Sequence, residues 1–294
     1  MHRLFHVMAL LFVSLLLAAC TPVQPPGSGT APRAAASNAT RATLHVFAAA
    51  SLTDAFNQIG NDFTVAHPGV DVVFNFAGSN ELATQIRSGA PADLFASANA
   101  AQMTVAIDSG RIVSGTERAF VQNRLVVIAP SNNPAGLNTL EDLARPGIAI
   151  LVAASEVPVG RYTLDFLDKA EADGSLGEGY KDAVIANIVS YEQNVRAVLT
   201  KVSLGEADAG VVYTSDVGAA AEEVIQIAIP DNLNTIASYP IAPLSDSAHP
   251  ELAQQFLDYL LSPAGQQVLV EYGFISISED TSSGDTGGTM SEGS

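Results

Sequence analysis

The stretch LHVFAAASLTDAFNQIGNDF, residues 44–63, changes its hydrophobic period part-way along. Leu44 to Ala50 is a short run, apolar apart from His45 and ending in three alanines, that reads as a strand. From Ser51 onward the apolar positions Leu52, Ala55, Phe56, Ile59 and Phe63 recur at helical spacing. A strand that runs through small residues into a helix opened by serine is the β-to-α unit of an α/β domain. The junction also carries chemistry. The unpaired amides of a helix start, the positive end of its dipole and the serine hydroxyl converge on one point, so an anion can be held there without a charged side chain. For a single serine the plainer reading, an N-cap, takes precedence, and the anion signal is weak.

The same event recurs outward from this stretch. VDVVFNFAG (70–78) leads through Ser79 into a helix with a glycine stop at Gly89. Further strands are read at 93–97, 124–130, 148–153, 207–216, 223–230 and 236–244, and a closing helix from Pro250 is interrupted near Ser262 and Pro263. Such alternation predicts an α/β fold with largely parallel strands. Two more segments offer orphan amides. Pro158 stands where a helix start tolerates its missing N–H, leaving the Val159 amide outward, and Asn194 is a candidate cap that leaves the Val195 amide unpaired. Tyr213 ends the apolar run GVVY. Arg161 and Arg196 lie just beyond these donors and are read as solvated helix charges, and Glu156 and Glu192 as surface residues.

The chain has 294 residues, 48% of them hydrophobic and 15% charged, enough for a substantial core. Its formal charge of −18 argues against nucleic acid and anionic lipid surfaces as partners. Residues 1–19 read as a signal peptide with Arg3 at its start and an apolar stretch from Val7 to Ala19. The lone cysteine, Cys20, excludes an intrachain disulfide, and Leu17-Ala18-Ala19-Cys20 resembles the bacterial lipobox, in which the signal is cut before a cysteine that is then lipidated. Residues 20–42 are then the lipidated cysteine and a Pro-, Ala- and Ser-rich tether, and 279–294 an acidic tail expected to be disordered.

Taken in order, FAAASLTDAF, FAGSNELATQI, GAPADLFASA, LVVIAP, EVPVGRY, NVRAVL with GEADAGVVYTSD, and SPAGQQVLVEYGF resemble the periplasmic molybdate-binding proteins of ABC transporters, from about Leu44 to Phe274. The resemblance implies a two-lobe type II periplasmic-binding fold with the ligand cleft between lobes and a two-strand hinge. Lobe one would take residues 43–122 plus 237–278 and lobe two 123–236, crossing near Gln122-Asn123 and Asn234-Thr235. It further implies an oxyanion, molybdate or tungstate, held by Ser51 and Ser79 through hydroxyl and amide, by the amides of Val159 and Val195, and by the Tyr213 hydroxyl. The molybdenum would be bound only within its oxyanion, with no direct protein ligand, and no cofactor is implied. The partners would be the permease of an ABC importer and, through the lipid, a membrane; the receptor itself would be a monomer. Where the family often has Pro-Ala-Gly, this chain has Pro158-Val159-Gly160, which keeps the amide but crowds the rim.

Rival readings differ in chemistry. Sulfate or thiosulfate would use the same kind of neutral cage. A hydrolase built on Ser51 needs a positioned base, and none of His2, His6, His45, His67 and His249 falls in a helix-start motif. An iron(III) receptor resembles this architecture but typically offers paired tyrosines, whereas the segment at Tyr213 has one.

Overall fold

A computed structural model describes residues 41–277, so the signal segment, Cys20, the tether up to residue 40 and the acidic tail lie outside the described residues, while Ala42, expected at the end of the tether, already belongs to the first strand. The chain begins with β1 (Ala42–Ala49), a one-turn 3-10 helix (Ala50–Leu52) and α1 (Thr53–Ala66). It continues through β2 (Val70–Ala77), α2 (Ser79–Arg87), β3 (Leu94–Ala96), α3 (Ala100–Asp108) and β4 (Arg118–Asn123). A second α/β segment follows: β5 (Leu125–Pro130), β6 (Ile150–Ala153), α4 (Pro158–Asp173), α5 (Tyr180–Ala186), β7 (Ile188–Glu192), α6 (Val195–Ser203), β8 (Ala209–Tyr213), α7 (Thr214–Val217) and β9 (Val224–Ala228). The chain then returns as β10 (Ala237–Pro243), α8 (Pro250–Leu261), α9 (Pro263–Glu271) and β11 (Ile275–Ser276).

These strands form two sheets, ordered β11-β4-β10-β3-β1-β2 and β7-β6-β8-β5-β9. The result is the expected pair of α/β lobes, joined where β4 runs directly into β5 and where β9 leads to β10. The strands are less parallel than the alternation suggested. β1 pairs in parallel with β2 and β3, and β6 with β7 and β8, but β10 is antiparallel to β3 and β4, and β5 to β8 and β9. The physical reason is the crossover: β4 and β10 connect lobes without an intervening helix, so no βαβ crossover forces them parallel.

Strand alternation builds two cores on the first sheet. Leu44, Val46 and Ala48 face Phe56, Ile59 and Phe63 of α1, whereas Phe47 points the other way into a cluster with Leu82, Ile86, Phe95 and Met103. Phe56 lies 5.9 Å from Phe120 and 6.2 Å from Phe256, and Phe63 5.2 Å from Phe256, in tilted or edge-on pairs. Each fully buried phenylalanine contributes about 1.5–3 kcal/mol by area. That packing fixes α1, and with it the turn that carries Ser51. The break expected near Ser262 is real: its hydroxyl accepts the Gly265 amide at 3.3 Å and starts α9 afresh.

Candidate functional site

Six chain segments converge on one small cavity, about 10 Å³ in volume, lined by Ala49 to Ser51, Ala77 to Ser79, Ala98, Val157 to Val159, Asn194, Val195 and Tyr213. All five residues expected to hold an anion are therefore brought together. Ser51, Ser79 and Ala98 come from the first lobe; Val159, Val195 and Tyr213 come from the second.

The local causes are visible at each start. In α2 the first amides with an intrahelical acceptor are those of Glu81 and Leu82, both on the Gly78 carbonyl, so the Ser79 amide precedes the ladder. In α4 the first is Arg161 on the Val157 carbonyl, leaving Val159 before it. In α6 the Asn194 side chain caps the Ala197 amide at 3.0 Å, as the sequence suggested, and Val195 is again ahead of the ladder. Gly160 lets the start of α4 sit against the end of β6: a Cβ there would lie 2.1 Å from the Ala154 carbonyl oxygen and 2.4 Å from that of Ala153.

The hydroxyls are directed by their partners. Ser79 Oγ accepts the Ala98 amide at 3.0 Å, and since an amide can only donate, the serine proton is left for the cavity. Ser51 Oγ lies 2.9 Å from the Tyr239 hydroxyl. The Tyr213 hydroxyl is buried with no hydrogen-bond partner. A buried, unpaired hydroxyl costs roughly 1–3 kcal/mol, so its persistence at a cavity wall points to a ligand acceptor. Burial, reinforced by Tyr239, holds the Tyr213 phenol well above its ordinary pKa, so it keeps its proton as a donor.

The family model of bacterial extracellular solute-binding proteins matches residues 44–275. The chain belongs to this family. Among its relatives is the molybdate-binding protein ModA of Mycobacterium tuberculosis, 38% identical over 258 residues, covering 88% of this chain and 92% of that protein. Among solved structures, the Azotobacter vinelandii periplasmic molybdate-binding protein is similar with a TM-score of 0.69 at 21% identity, covering 79% of this chain and 98% of that one. The sulfate-binding protein SubI of Mycobacterium tuberculosis is similar with a TM-score of 0.72 at 16% identity, covering 81% and 88%. Both likenesses show the fold alone, and that fold carries different anions.

As a solute-binding protein it works outside the cytoplasm, and it is not an enzyme; at Ser51 the neighbouring side chain is a tyrosine rather than a base. No helix among the described residues is long and apolar enough to cross a membrane.

Two sequence expectations, at Arg196 and Glu192, are corrected. Arg196 is not a solvated charge: its Nη2 lies 2.6 Å from Asp54 Oδ2 on α1 and its Nε 2.9 Å from Asp216 Oδ1, tying the two lobes beside the cavity. The Nε contact is an ion pair without hydrogen-bond alignment, so its attraction is chiefly coulombic. Burial pushes Asp216 up to about 6 against the pull of Arg196, and its other oxygen accepts the Tyr213 amide at 3.1 Å. Glu192 is buried, not superficial, and pairs with Lys201 at 2.8 Å on an edge strand, β7, that the sequence reading missed. Tyr213 also has a second tyrosine beside it, Tyr239, with ring centroids 5.9 Å apart. Burial raises both phenols, which keeps them neutral and opposes the phenolate pair that iron(III) would require. By contrast Glu156 is exposed, and Arg161 is exposed and pairs with Asp165 at 3.2 Å, as read.

Proposed function

We propose that this solute-binding protein captures molybdate, and tungstate alike, between its lobes and delivers it to the permease of an ABC importer, anchored to the membrane through lipidated Cys20. One observation carries the oxyanion reading: donors converge on the cavity with no charged side chain among its lining residues, namely helix-start amides, the Ser51 and Ser79 hydroxyls and the unpartnered Tyr213 hydroxyl. A ring of preorganised dipoles binds a dianion despite a net charge of −18, because the local donors act at short range in a desolvated site. The identity to ModA of Mycobacterium tuberculosis favours molybdate among the tetrahedral anions.

Residues 43–122 with 237–278 move as one lobe and 123–236 as the other, about the two crossovers, and the permease reads the closed form. Sulfate is the second reading, because it is an unprotonated tetrahedral dianion that suits the same donors and differs only in oxygen span.

Calorimetry on the mature chain should show tight molybdate and tungstate binding, with sulfate and phosphate far weaker. Equal sulfate affinity would overturn the molybdate assignment. Ser79→Ala should weaken molybdate binding by about 1.5–3 kcal/mol, as for a hydrogen bond to a charged acceptor. Unchanged affinity would remove Ser79 from the cage.

A further inference from the structure

We infer that Tyr239, held by Asn123 at the hinge, is a positioning residue that fixes the Ser51 proton toward the cavity and thereby sets the site against anions that carry a proton. The inference rests on the oxyanion reading and extends it to a residue that does not line the cavity.

The argument follows the protons. Asn123 Oδ1 accepts the Arg124 amide and the Thr214 hydroxyl, each at 3.0 Å, which fixes the orientation of its carboxamide. Its Nδ2 must therefore donate, to Ser215 Oγ at 2.8 Å and to the Tyr239 hydroxyl at a longer 3.4 Å. The Tyr239 oxygen thus accepts from Asn123, and the acceptor left for its own proton is Ser51 Oγ at 2.9 Å. Tyr239 is fully buried and neutral, so that proton is present at all ordinary pH. With its oxygen occupied by the tyrosine proton, Ser51 turns its hydrogen into the cavity.

The backbone supports this aim. The register of β10 against β4 shifts between Tyr239 and Pro240, a bulge where a proline's missing N–H costs no ladder bond and a side chain is re-directed. The Tyr239 ring is gripped edge-on by Phe120, Tyr213 and Phe274, with centroids at 6.4, 5.9 and 5.7 Å. Because Asn123 is the last residue of the crossover strand β4 and binds Thr214 and Ser215 just beyond β8 of the second sheet, the polarity of the chain is set where the two sheets join.

The consequence is selectivity. Hydrogen phosphate brings a proton that needs an acceptor, and Ser51, held with its hydrogen rather than a lone pair toward the anion, does not offer one. Tyr239→Phe removes one oxygen while keeping the ring contacts. The Ser51 hydroxyl is then released to rotate and can turn a lone pair in place of its hydrogen toward the anion.

The test is isothermal calorimetry of wild type and Tyr239→Phe with molybdate and with inorganic phosphate, at pH 6 and pH 8, alongside thermal melts. The phosphate-to-molybdate affinity ratio is expected to rise by about tenfold in the variant, the worth of one hydrogen bond. A parallel loss for both anions, leaving the ratio unchanged, would show that Tyr239 only packs and would overturn the inference. Asn123→Asp provides an independent arm, because a carboxylate would draw the Tyr239 proton to itself and reverse the chain; it should move the ratio in the same direction. If wild type binds sulfate in place of molybdate, the molybdate assignment fails, while the sulfate-to-phosphate ratio still tests the proton arrangement.

Discussion

Replacing Gly160 by alanine should lower the melting temperature by roughly 6–12 °C, as expected for about 3 kcal/mol in a chain of this size, and should abolish oxyanion binding in whatever folded protein remains. The new Cβ would meet two backbone carbonyl oxygens, those of Ala154 and Ala153, at 2.1 and 2.4 Å. Neither can rotate away like the end of a flexible side chain. Either the start of α4 lifts from β6 or the turn at Ala154 opens, and both displace the Val159 amide, which is next in sequence. A donor moved by about 1 Å loses most of its value in a preorganised site. Differential scanning calorimetry with molybdate titration reads the two effects separately. A wild-type melt with intact binding would mean that the close approach is dispensable.

Where the sequence was legible, the information was local. A strand that ends in small residues and passes through Ser51 or Ser79 into an amphipathic helix announces both its fold and its orphan amides within ten residues. Pro158 and Asn194 announce helix starts in the same way, and the structure gathers all of these at one cavity. The resemblance supplied the two-lobe arrangement that local patterns could not. What stayed hidden depends on distant pairing. Ser51 and Tyr239 are 188 residues apart, and Arg196 and Asp54 142 apart, so nothing in the neighbourhood of either arginine or tyrosine signals the contact. Tyr239 looked like one more aromatic in an apolar strand, and Arg196 like an ordinary exposed helix cation. The missed strands have a related cause. β4 starts with exposed Arg118 and Ala119, and β7 alternates half-buried and exposed residues at an edge, so both acquire strand character mainly from the neighbours with which they pair.

Arg196 should be the side chain whose loss is felt most widely. It and its two partners lie on the same starts as the cage: Asp54 three residues after Ser51, Arg196 next to Val195, and Asp216 three residues after Tyr213. Arg196→Met keeps an apolar stem of similar length but leaves the fully buried Asp216 carboxylate uncompensated, at a cost of about 3 kcal/mol near pH 7.5, the low end for a broken buried pair because the arginine is itself partly exposed. The pH dependence follows from the sign of the Asp216 shift. Its folded pKa, about 6, is raised above the ordinary 3.8, so the protonated form favours folding and ionisation costs stability as pH rises through that window. In wild type Arg196 limits that loss. Without the guanidinium the Asp216 pKa climbs further, and the loss continues toward neutrality at about 1.4 kcal/mol per unit of added shift. The gap between variant and wild type should therefore be widest above pH 7 and shrink toward pH 5, where Asp216 carries a proton in both proteins. Denaturant unfolding across this range checks it, and a gap independent of pH would assign the loss to packing of the arginine stem instead. Because the same guanidinium joins α1 to α6 across the lobes, molybdate affinity should fall with it, and Asp54→Asn, which loosens the inter-lobe contact without stranding a buried charge, should weaken binding while sparing most of the stability.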